Sequence, residues 1–219
     1  MDISDFRPRV LSQVPGCPGF IVDRAVVDAI IQFCSDTWIM KKGFEVAVLS
    51  TDVDTTLNDS VDIDISAVAS TTLKPLAIDR FQIDGANYTV KKRELSTDIT
   101  YLDEIGIGSV KFFDFTSDTV IRMWPFEEEA MTFFLNVVFK PLSTITTIDD
   151  FIYDNHIEPI VSMAQATLQE MAKKPWTNSA GARGNRVDYA EGMGKARIKI
   201  NQEYVGNDTR VDYSKAYFA

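Results

Sequence analysis

The sequence predicts an α+β protein: N- and C-terminal helices forming one helical bundle, with an inserted antiparallel β domain and an extended C-terminal tail. Apolar residues recur at helical spacing near both ends of the 219-residue chain. Between them, short runs of β-branched and aromatic residues separated by Asp, Asn, Gly and Ser indicate a sandwich or small barrel. The final residues are rich in tyrosine but lack a helical period. The predicted boundaries are 1–43 and 146–203 for the bundle, 44–145 for the β domain and 204–219 for the tail.

The first long helix is predicted over Ile21–Met40, where apolar residues fall at three- and four-residue spacings. A short helical opening precedes it, separated by the proline- and glycine-rich segment PGCPG. Asp23 is suited to cap its start, and the helix is expected to stop near Gly43.

The second long helix has Thr147 or Asp149 as candidate caps, and Pro159 should kink it or mark its true start. KKPW interrupts the pattern, and Asn178 can cap a last helix that runs through Ile200. None of these helices could bury its apolar stripe alone, so the two ends of the chain must meet.

The middle of the chain contains several predicted strands. VDIDISAV alternates apolar and acidic residues, which is typical of a strand with one solvated face. NYTVKKREL, SVKFFDF, TVIRMW and MTFFLNVVF indicate further strands, and DGAN, at 84–87, fits a tight hairpin loop. EEE, at 127–129, is interpreted as a charged hairpin loop.

Four glycines, Gly181, Gly184, Gly192 and Gly194, lie within the last predicted helix. Each costs about 1 kcal/mol relative to alanine in a helix interior. They fit a helix held close to neighbours, within or between subunits, where missing side chains let backbones approach. The alternative is that Gly181 and Gly184 lie in a frayed first turn.

Composition excludes some classes of partner. The net charge of −10 argues against electrostatic binding to DNA or to an anionic membrane, and the apolar runs are too short to cross a bilayer. The acids concentrate before residue 150, so the two regions are expected to face different surroundings. Cys17 and Cys34 are expected to be packed thiols in a protein made in a reducing cytosol, with a disulfide between them as the alternative.

No motif assembles a catalytic, metal or cofactor site, so the chain is expected to be no enzyme and to need no cofactor. The single histidine, His156, has no nucleophile motif nearby and is interpreted as structural or surface. TDVDTTLND fails the calcium-loop pattern, because Leu57 and Ile63 replace the required glycine and glutamate. Asp62 and Asp64, adjacent outward positions on one strand, are interpreted as its solvated face rather than as a glycosidase pair.

Three separated blocks of sequence resemble the head-to-tail adaptor (connector) proteins of tailed bacteriophages. The first, DFRPRVLSQVPGCPGFIVDRAVVDAIIQFCSDTWIM, shares Pro8, Val10, Leu11, Val14, Pro15, Cys17, Pro18, Phe33, Cys34, Thr37 and Trp38 with the family's opening arm, turn and helix. The second, TVIRMWPFEEEAMTFFLNVVFKPL, is similar to the family's closing strands and ends in Lys140 and Pro141. The third, ATLQEMAKKPWTNSAGARGNRVDYAEGMGKAR, shares Leu168, Met171, Lys174, Pro175, Trp176, Asn178, Gly192, Ala196 and Arg197.

The resemblance has departures. Ala172 occupies the usual proline position, and Tyr189 and Ala190 stand where phenylalanine is common. The middle of the β domain does not align with the family, so the mode of attachment to the next tail component does not follow from it.

This resemblance implies a virion structural protein in the neck between capsid and tail, forming a ring, twelvefold in the family, beneath the portal protein. The helical bundle and tail would grip the portal, the β domain would meet the tail nozzle or the next tail protein, and double-stranded DNA would pass through without specific binding. The implied portal or subunit interface comprises Trp176, Asn178, Arg197, Tyr204, Tyr213, Tyr217 and Phe218. Trp176 fits a cap on the bundle core and an intersubunit anchor equally well.

Other functions stay open at this point. A tail-completion or tail-tube-associated protein would dock on the far side of the neck. A carbohydrate-binding host-recognition module would expose aromatic residues on one face of the β domain. An acidic-residue hydrolase would need two converging carboxylates in a concave site, with a raised pKa on one of them.

Overall fold

A computed structural model describes residues 1–48, 53–54, 60–83, 86–88, 91–92, 112–124 and 131–208. The protein is mixed α+β and divides into two compact units. The helical unit comprises Met1–Ile39 and Ser143–Ala219, and the β unit comprises Met40–Leu142. Sequence from both ends of the chain therefore builds the helical unit, with the β unit inserted between them.

The helical unit begins with a short 3₁₀ helix, Ile3–Phe6, followed by α1, Arg7–Leu11. The long helices are α2, Gly19–Thr37, α3, Asp150–Gln169, and α4, Ser179–Asp208. α3 packs extensively against both α2 and α4. The fully buried side chains of this unit include Phe6, Phe33, Ile160 and Leu168, which come from both ends of the chain.

The predicted bounds and cap of α2 are wrong by a few residues. The helix starts two residues earlier than predicted, after Pro18, and Asp23 lies in its second turn, where it accepts hydrogen bonds from the Arg7 guanidinium. It ends at Thr37 because Trp38 adopts a left-handed conformation (φ 58°), which carries the chain out of the helix. Gly43, the predicted stop, lies inside a strand.

The cap and the kink predicted for α3 are confirmed. Asp149 is the N-cap, and its side chain accepts a hydrogen bond from the Phe151 N–H at 2.8 Å. Pro159 lies inside the helix, and His156 three residues earlier has non-helical angles (φ −134°, ψ 20°). A proline ring clashes with the preceding turn and removes one hydrogen bond, which accounts for a kink at this point.

Buried amides attach the N-terminal segment to the long helices. The Gln165 side chain donates to the Arg9 carbonyl at 3.0 Å, at the end of α1. The Asn185 amide donates to the side-chain oxygens of Gln13 and Gln169, each at 3.1 Å. Such buried groups must be hydrogen-bonded, so they fix the register between the opening segment, α3 and α4.

The β unit contains two sheets among its described residues. Its strands are β1 (Lys41–Val48), β2 (Val53–Asp54), β3 (Ser60–Asp64), β4 (Leu73–Ile83), β5 (Ala86–Tyr88), β6 (Lys91–Lys92), β7 (Phe112–Phe115), β8 (Val120–Trp124) and β9 (Met131–Pro141). One sheet has the order β1-β9-β4-β5 and is antiparallel. The other has the order β2-β3-β8-β7-β6, with antiparallel pairs except for the short parallel pair of β6 and β7.

Both sheets contribute to one hydrophobic core. Ile63 and Ile121 come from one sheet, and Phe133 and Leu135 from the other. This arrangement favours the sandwich among the two predicted β architectures. The strand predicted at VDIDISAV is confirmed in its first half, where Val61 and Ile63 are buried and Asp62 and Asp64 are exposed. Its second half is wrong, because the strand ends at Asp64 and a turn follows at 66–68.

Some predictions fall partly or wholly outside the described residues. The tail predicted from Tyr204 is wrong at its start, because α4 continues through Asp208. Residues 209–219 lie outside the described part of the chain, as do the charged loop at 127–129 and both Asp84 and Gly85 of the predicted hairpin. The pairing of Ile83 with Ala86 does place a two-residue connection between β4 and β5.

Candidate interaction surface

The connection between α3 and α4 is held by its own hydrogen bonds. The Lys174 N–H donates to the Thr177 hydroxyl oxygen at 2.9 Å, and the Thr177 hydroxyl donates to the Met171 carbonyl. Lys173 takes the left-handed conformation (φ 59°) that reverses the chain direction. The KKPWTN segment is therefore an ordered turn, held by these hydrogen bonds, and it fixes where α4 starts.

Trp176 is buried within this turn. The side chain is 9% exposed, and its Nε1 has no hydrogen-bond partner among the described residues. Because the chain itself covers the indole, the structure favours a cap on the helical core over an intersubunit anchor.

Asn178 is the N-terminal cap of α4, as predicted. Its side-chain oxygen accepts from the Gly181 N–H at 3.0 Å. A Cβ at Gly181 would lie 2.6 Å from the Asn178 Nδ2 and 2.9 Å from the Gln169 Oε1. Gly181 therefore leaves room for the cap and for the buried amide network behind it, and it is not in a frayed turn.

Asp36, near the end of α2, joins that helix to α4. Its carboxylate accepts from the Tyr189 hydroxyl at 2.7 Å and from Gln32 Nε2 at 2.9 Å. Its backbone carbonyl accepts from Arg197 Nε at 2.6 Å. An arginine at the last carbonyls of a helix satisfies an orphan acceptor and complements the helix dipole. Burial, and then the hydrogen bond to Asp36, raise the pKa of Tyr189.

The glycine positions of α4 divide into two kinds. Gly192 packs within the chain, since a Cβ there would lie 2.7 Å from the Pro159 Cβ. Gly184 and Gly194 face open space, with nothing within 4 Å of an added Cβ. The prediction of close packing is therefore confirmed within the chain for Gly181 and Gly192, and no contact among the described residues accounts for the other two.

Gly184 and Gly194 share a face of α4 with two exposed apolar side chains. Val187 is 65% exposed and Ile198 is 59% exposed. Spacings of three, seven and four residues place all four on one side of the helix. We call these four residues the α4 outer face. The buried positions of the helix lie on the opposite side, and among them are Ala182, Asn185, Tyr189 and Ala196.

A groove of about 470 Å³ lies between α3 and α4 at the kink. His156, Pro159 and Gly192 contribute to its wall, together with acidic and basic side chains. His156 is buried, with its ring 5.3 Å from that of Phe33, in agreement with its interpretation as structural. Among the acids of the groove, Glu191 has its pKa lowered by the hydrogen bond from Lys195. A lowered pKa is the opposite of what a general acid requires.

Other chemistry also lacks support among the described residues. No group of three or more His, Cys, Asp or Glu side chains there could hold a metal ion. Asp62 forms a bidentate ion pair with Arg122 at 2.6 and 2.7 Å, and the backbone N–H of Ser66 lowers the pKa of Asp64. The lowered pKa of Asp64 is the opposite of what a general acid requires. Cys17 and Cys34 are both free and buried, as the packed-thiol prediction expects.

The predicted interface residues occupy different settings. Trp176 and Asn178 belong to the turn before α4, and Arg197 is bonded to α2, as described above. Tyr204 lies on the last turns of α4, while Tyr213, Tyr217 and Phe218 lie outside the described residues. Sequence reasoning missed Asp36 and Tyr189 as partners. In the sequence, Asp36 and Tyr189 are only two polar side chains beside the apolar stripes of separate predicted helices, and nothing there indicates that they meet.

The glycan-binding alternative gains little from the described residues. In that part of the β unit, the exposed large hydrophobic side chain is Phe134, at 37% exposure. Its ring lies over Gly43 of the neighbouring strand, where a Cβ would be 2.4 Å from Cζ. A single aromatic resting on its own sheet is a weak platform for a sugar.

No family model matches the chain, and no curated protein matches it significantly. None of the described helices is both long and apolar enough to cross a membrane.

Proposed function

We propose that the protein is a phage head-to-tail adaptor, a virion structural protein that forms a ring joining the portal to the tail. The observation that carries the proposal is how the three family-like blocks fall on the fold. The first runs from the end of the 3₁₀ helix through α1 and α2; the second covers β8 and β9; and the third runs from the end of α3 into α4. Each block thus lies on helices or strands that adjoin one another along the chain.

In this proposal the two units have different partners. The helical unit, as one bundle with the tail, grips the portal protein, and the β unit offers a docking surface to the tail nozzle or the next tail protein. A ring, twelvefold in the family, repeats each contact, so weak single contacts add to stable attachment. The tail carries Tyr213, Tyr217 and Phe218, residue types that are enriched at protein interfaces.

The charge of the chain suits a DNA channel. A net charge of −10 gives a surface that does not hold passing phosphates. Ejection through the ring would then proceed without specific DNA binding.

The function is tested by the mass of the protein in solution, measured by light scattering alone and after mixing with the portal protein of its own phage. We expect a large complex of portal and adaptor. Because α4 continues through Asp208, the informative truncation ends there and removes residues 209–219. We expect that variant to keep its helical circular dichroism and lose capture by the portal.

Two outcomes would contradict the proposal. If the full chain does not bind the portal, the proposed adaptor function is wrong. Binding to a tail component instead would support the tail-completion alternative. If the chain that lacks residues 209–219 still binds the portal, the role assigned to the tail is wrong.

A further inference from the structure

β1 forms one edge of the sheet β1-β9-β4-β5, and no described strand pairs with its outer side. The Phe139 N–H donates to the Met40 carbonyl at 2.8 Å, which fixes the phase of the ladder between β1 and β9. Hydrogen-bonded pairs alternate along an antiparallel ladder, so every second residue of β1 directs its backbone N–H and C=O away from β9. These residues are Lys41, Gly43, Glu45 and Ala47. The outer side of β1 therefore presents backbone donors and acceptors at the spacing of a β-strand.

The features that usually protect an edge strand are absent from β1. It is eight residues long, contains no proline and pairs with β9 without a register shift. Lysines guard many edges, but those of β1 are directed onto their own chain. Lys41 Nζ lies 3.1 Å from Asp79 Oδ2, and Lys42 Nζ donates to the Val68 carbonyl at 2.8 Å. The other three outward-bonding residues are exposed, so the backbone of this edge is accessible to another strand.

The side chains of β1 specify the strand that fits beside it. Phe44 and Val46 are partly buried against the hydrophobic core of the β unit, and apolar side chains on an added strand would complete their burial. Between them, on the other face, Glu45 is exposed and has no ion pair or hydrogen bond among the described residues. A basic side chain directly opposite would pair with it. The fitting pattern is therefore apolar, basic, apolar.

The charge of the β unit also favours a basic partner over a second copy of the chain. Residues 40–142 carry ten basic and seventeen acidic side chains, a net charge of −7. Such a surface attracts a basic segment and repels another copy of itself. The β1 edge of a second copy also brings no available cation to Glu45, because both of its lysines are engaged within their own chain.

We propose that the outer side of β1 binds an extended segment of a partner protein as an added strand, with a basic residue opposite Glu45 and an apolar residue on either side of it. Backbone hydrogen bonds supply the affinity, and the side chains of Phe44, Glu45 and Val46 supply the selectivity. The identity of the partner, the tail nozzle or the next tail protein, rests on the proposed adaptor function, whereas its chemistry follows from the edge.

The probe for this edge is a fluorescein-labelled peptide, Thr-Val-Thr-Val-Lys-Val-Thr-Val-Thr, in which valines alternate with threonines and one central lysine. Its binding to the full chain is followed by fluorescence polarisation at protein concentrations up to about 1 mM, where weak specific contacts are populated. We expect saturable binding. Replacing the lysine of the peptide by glutamate should weaken the affinity about fivefold, because a like charge then faces Glu45.

Variants at Glu45 separate the backbone contribution from the charge. Glu45→Ala keeps the outward N–H and removes the charge, so it should bind the lysine and glutamate peptides equally. Glu45→Lys should prefer the glutamate peptide. Glu45→Pro also removes the outward N–H and should bind at least about tenfold more weakly than Glu45→Ala.

Proline is tolerated at such an edge position because the N–H that it removes makes no bond to β9. Circular dichroism and urea denaturation check that each variant folds. Ala47→Pro applies the same test at the next outward N–H, so the result does not depend on one variant.

Three results would overturn parts of the proposal. No binding of the lysine peptide at about 1 mM, or equal binding by Glu45→Pro and Glu45→Ala, would overturn the added strand. Equal affinity of the native chain for both peptides would overturn the basic residue opposite Glu45. Self-association of the native chain that is lost in Glu45→Pro would make a second copy the occupant.

Portal capture, measured separately, keeps this contact distinct from the adaptor function. Glu45→Pro should capture the portal like the native chain, because the helical unit is proposed to carry that contact. Peptide binding without portal capture would support the added strand and show the adaptor function to be wrong. Portal capture by a chain that does not bind the peptide would support the adaptor function and show the added strand to be wrong.

Discussion

Pro159 occupies the space that a side chain at Gly192 would need: an added Cβ would lie 2.7 Å from the Pro159 Cβ and 3.1 Å from its Cγ. The proline that kinks α3 thus packs against a glycine of α4. Each of these two residues weakens its own helix, and together they form one close contact between the helices.

We predict that Gly192→Ala destabilises the protein. A proline ring cannot rotate aside, so the helices must separate, at a cost of about 1–3 kcal/mol that outweighs the gain of up to about 1 kcal/mol in helix propensity. The free energy of unfolding, from urea denaturation followed by circular dichroism, should fall by about 1–2 kcal/mol.

Gly184→Ala and Gly194→Ala are the matched controls on the same helix. An added Cβ meets open space at both positions, so each variant should raise the free energy of unfolding of the isolated chain by about 0.5–1 kcal/mol. Equal effects at all three glycines would show that the contact with Pro159 does not constrain α4.

A second prediction concerns the bond between Tyr189 and Asp36. Tyr189 is 8% exposed and donates to the carboxylate at 2.7 Å. Hydrogen bonds to charged groups contribute about 1.5–3 kcal/mol, and Gln32 continues to satisfy the carboxylate in the variant. Tyr189→Phe should therefore lower the free energy of unfolding by about 1–2 kcal/mol in urea titrations.

The control for Tyr189→Phe is Arg186→Gln, which breaks an ion pair with Glu170 on the same helix. Both partners are more than two-fifths exposed, and such surface pairs contribute about 0–1 kcal/mol. A larger loss from Arg186→Gln than from Tyr189→Phe would mean that the link through Asp36 is not what joins α2 to α4.

Much of the fold follows from local patterns in the sequence. Asp149 and Asn178 were predictable caps because a short polar side chain precedes each apolar stripe, and Pro159 was a predictable kink because its ring cannot fit an unbroken turn. β3 was predictable from its alternation of apolar and acidic residues.

The rest depends on tertiary contacts that have no local signature. β4 was not predicted as a strand, because Pro75 and register shifts after it and after Ile78 break the alternation of its side chains. Asp23 looked like a cap, but Arg7, sixteen residues away, pairs with it instead. The two partners that join Asp36 to α4, Tyr189 and Arg197, lie more than 150 residues further along the chain. The α4 outer face became visible only when the buried side of the helix was known.

A third prediction concerns alkaline pH. Burial raises the pKa of the Cys34 thiol to about 12, whereas an unfolded cysteine titrates near about 8.5. The folded state therefore binds the Cys34 proton more tightly than the unfolded state does. The stabilisation of the folded state by this protonated thiol is fully present below about pH 8.5 and is lost as the pH rises towards 12. The free energy of unfolding should fall across that range, more steeply than in Cys34→Ala.

Cys34→Ala lowers stability at every pH, because it leaves a small cavity, so the comparison uses the slope against pH and not the absolute value. Tyr189 contributes a fall of the same sign above about pH 10, since its pKa is also raised, and that part should persist in the variant. Identical slopes in the two proteins between pH 8.5 and 10 would contradict the burial of an un-ionised Cys34.

The last prediction concerns whether Trp176 caps the helical core or anchors a second subunit. Its indole is 9% exposed within the isolated chain, and Nε1 has no partner among the described residues. Removing the whole ring from a covered site costs about 3–5 kcal/mol, so Trp176→Ala should unfold at much lower urea concentration. Trp176→Phe keeps most of the apolar volume and sacrifices no hydrogen bond, so it should cost about 1–2 kcal/mol.

Urea denaturation and sedimentation of both Trp176 variants separate the cap from the anchor. A cap on the helical core predicts the graded loss of stability described above, with self-association unchanged in Trp176→Phe under conditions where it is folded. An intersubunit anchor predicts the reverse: nearly native unfolding in both variants and weakened association in both. Because the turn that carries Trp176 also sets the start of α4, a loss of stability in Trp176→Ala should be accompanied by a loss of helical circular dichroism.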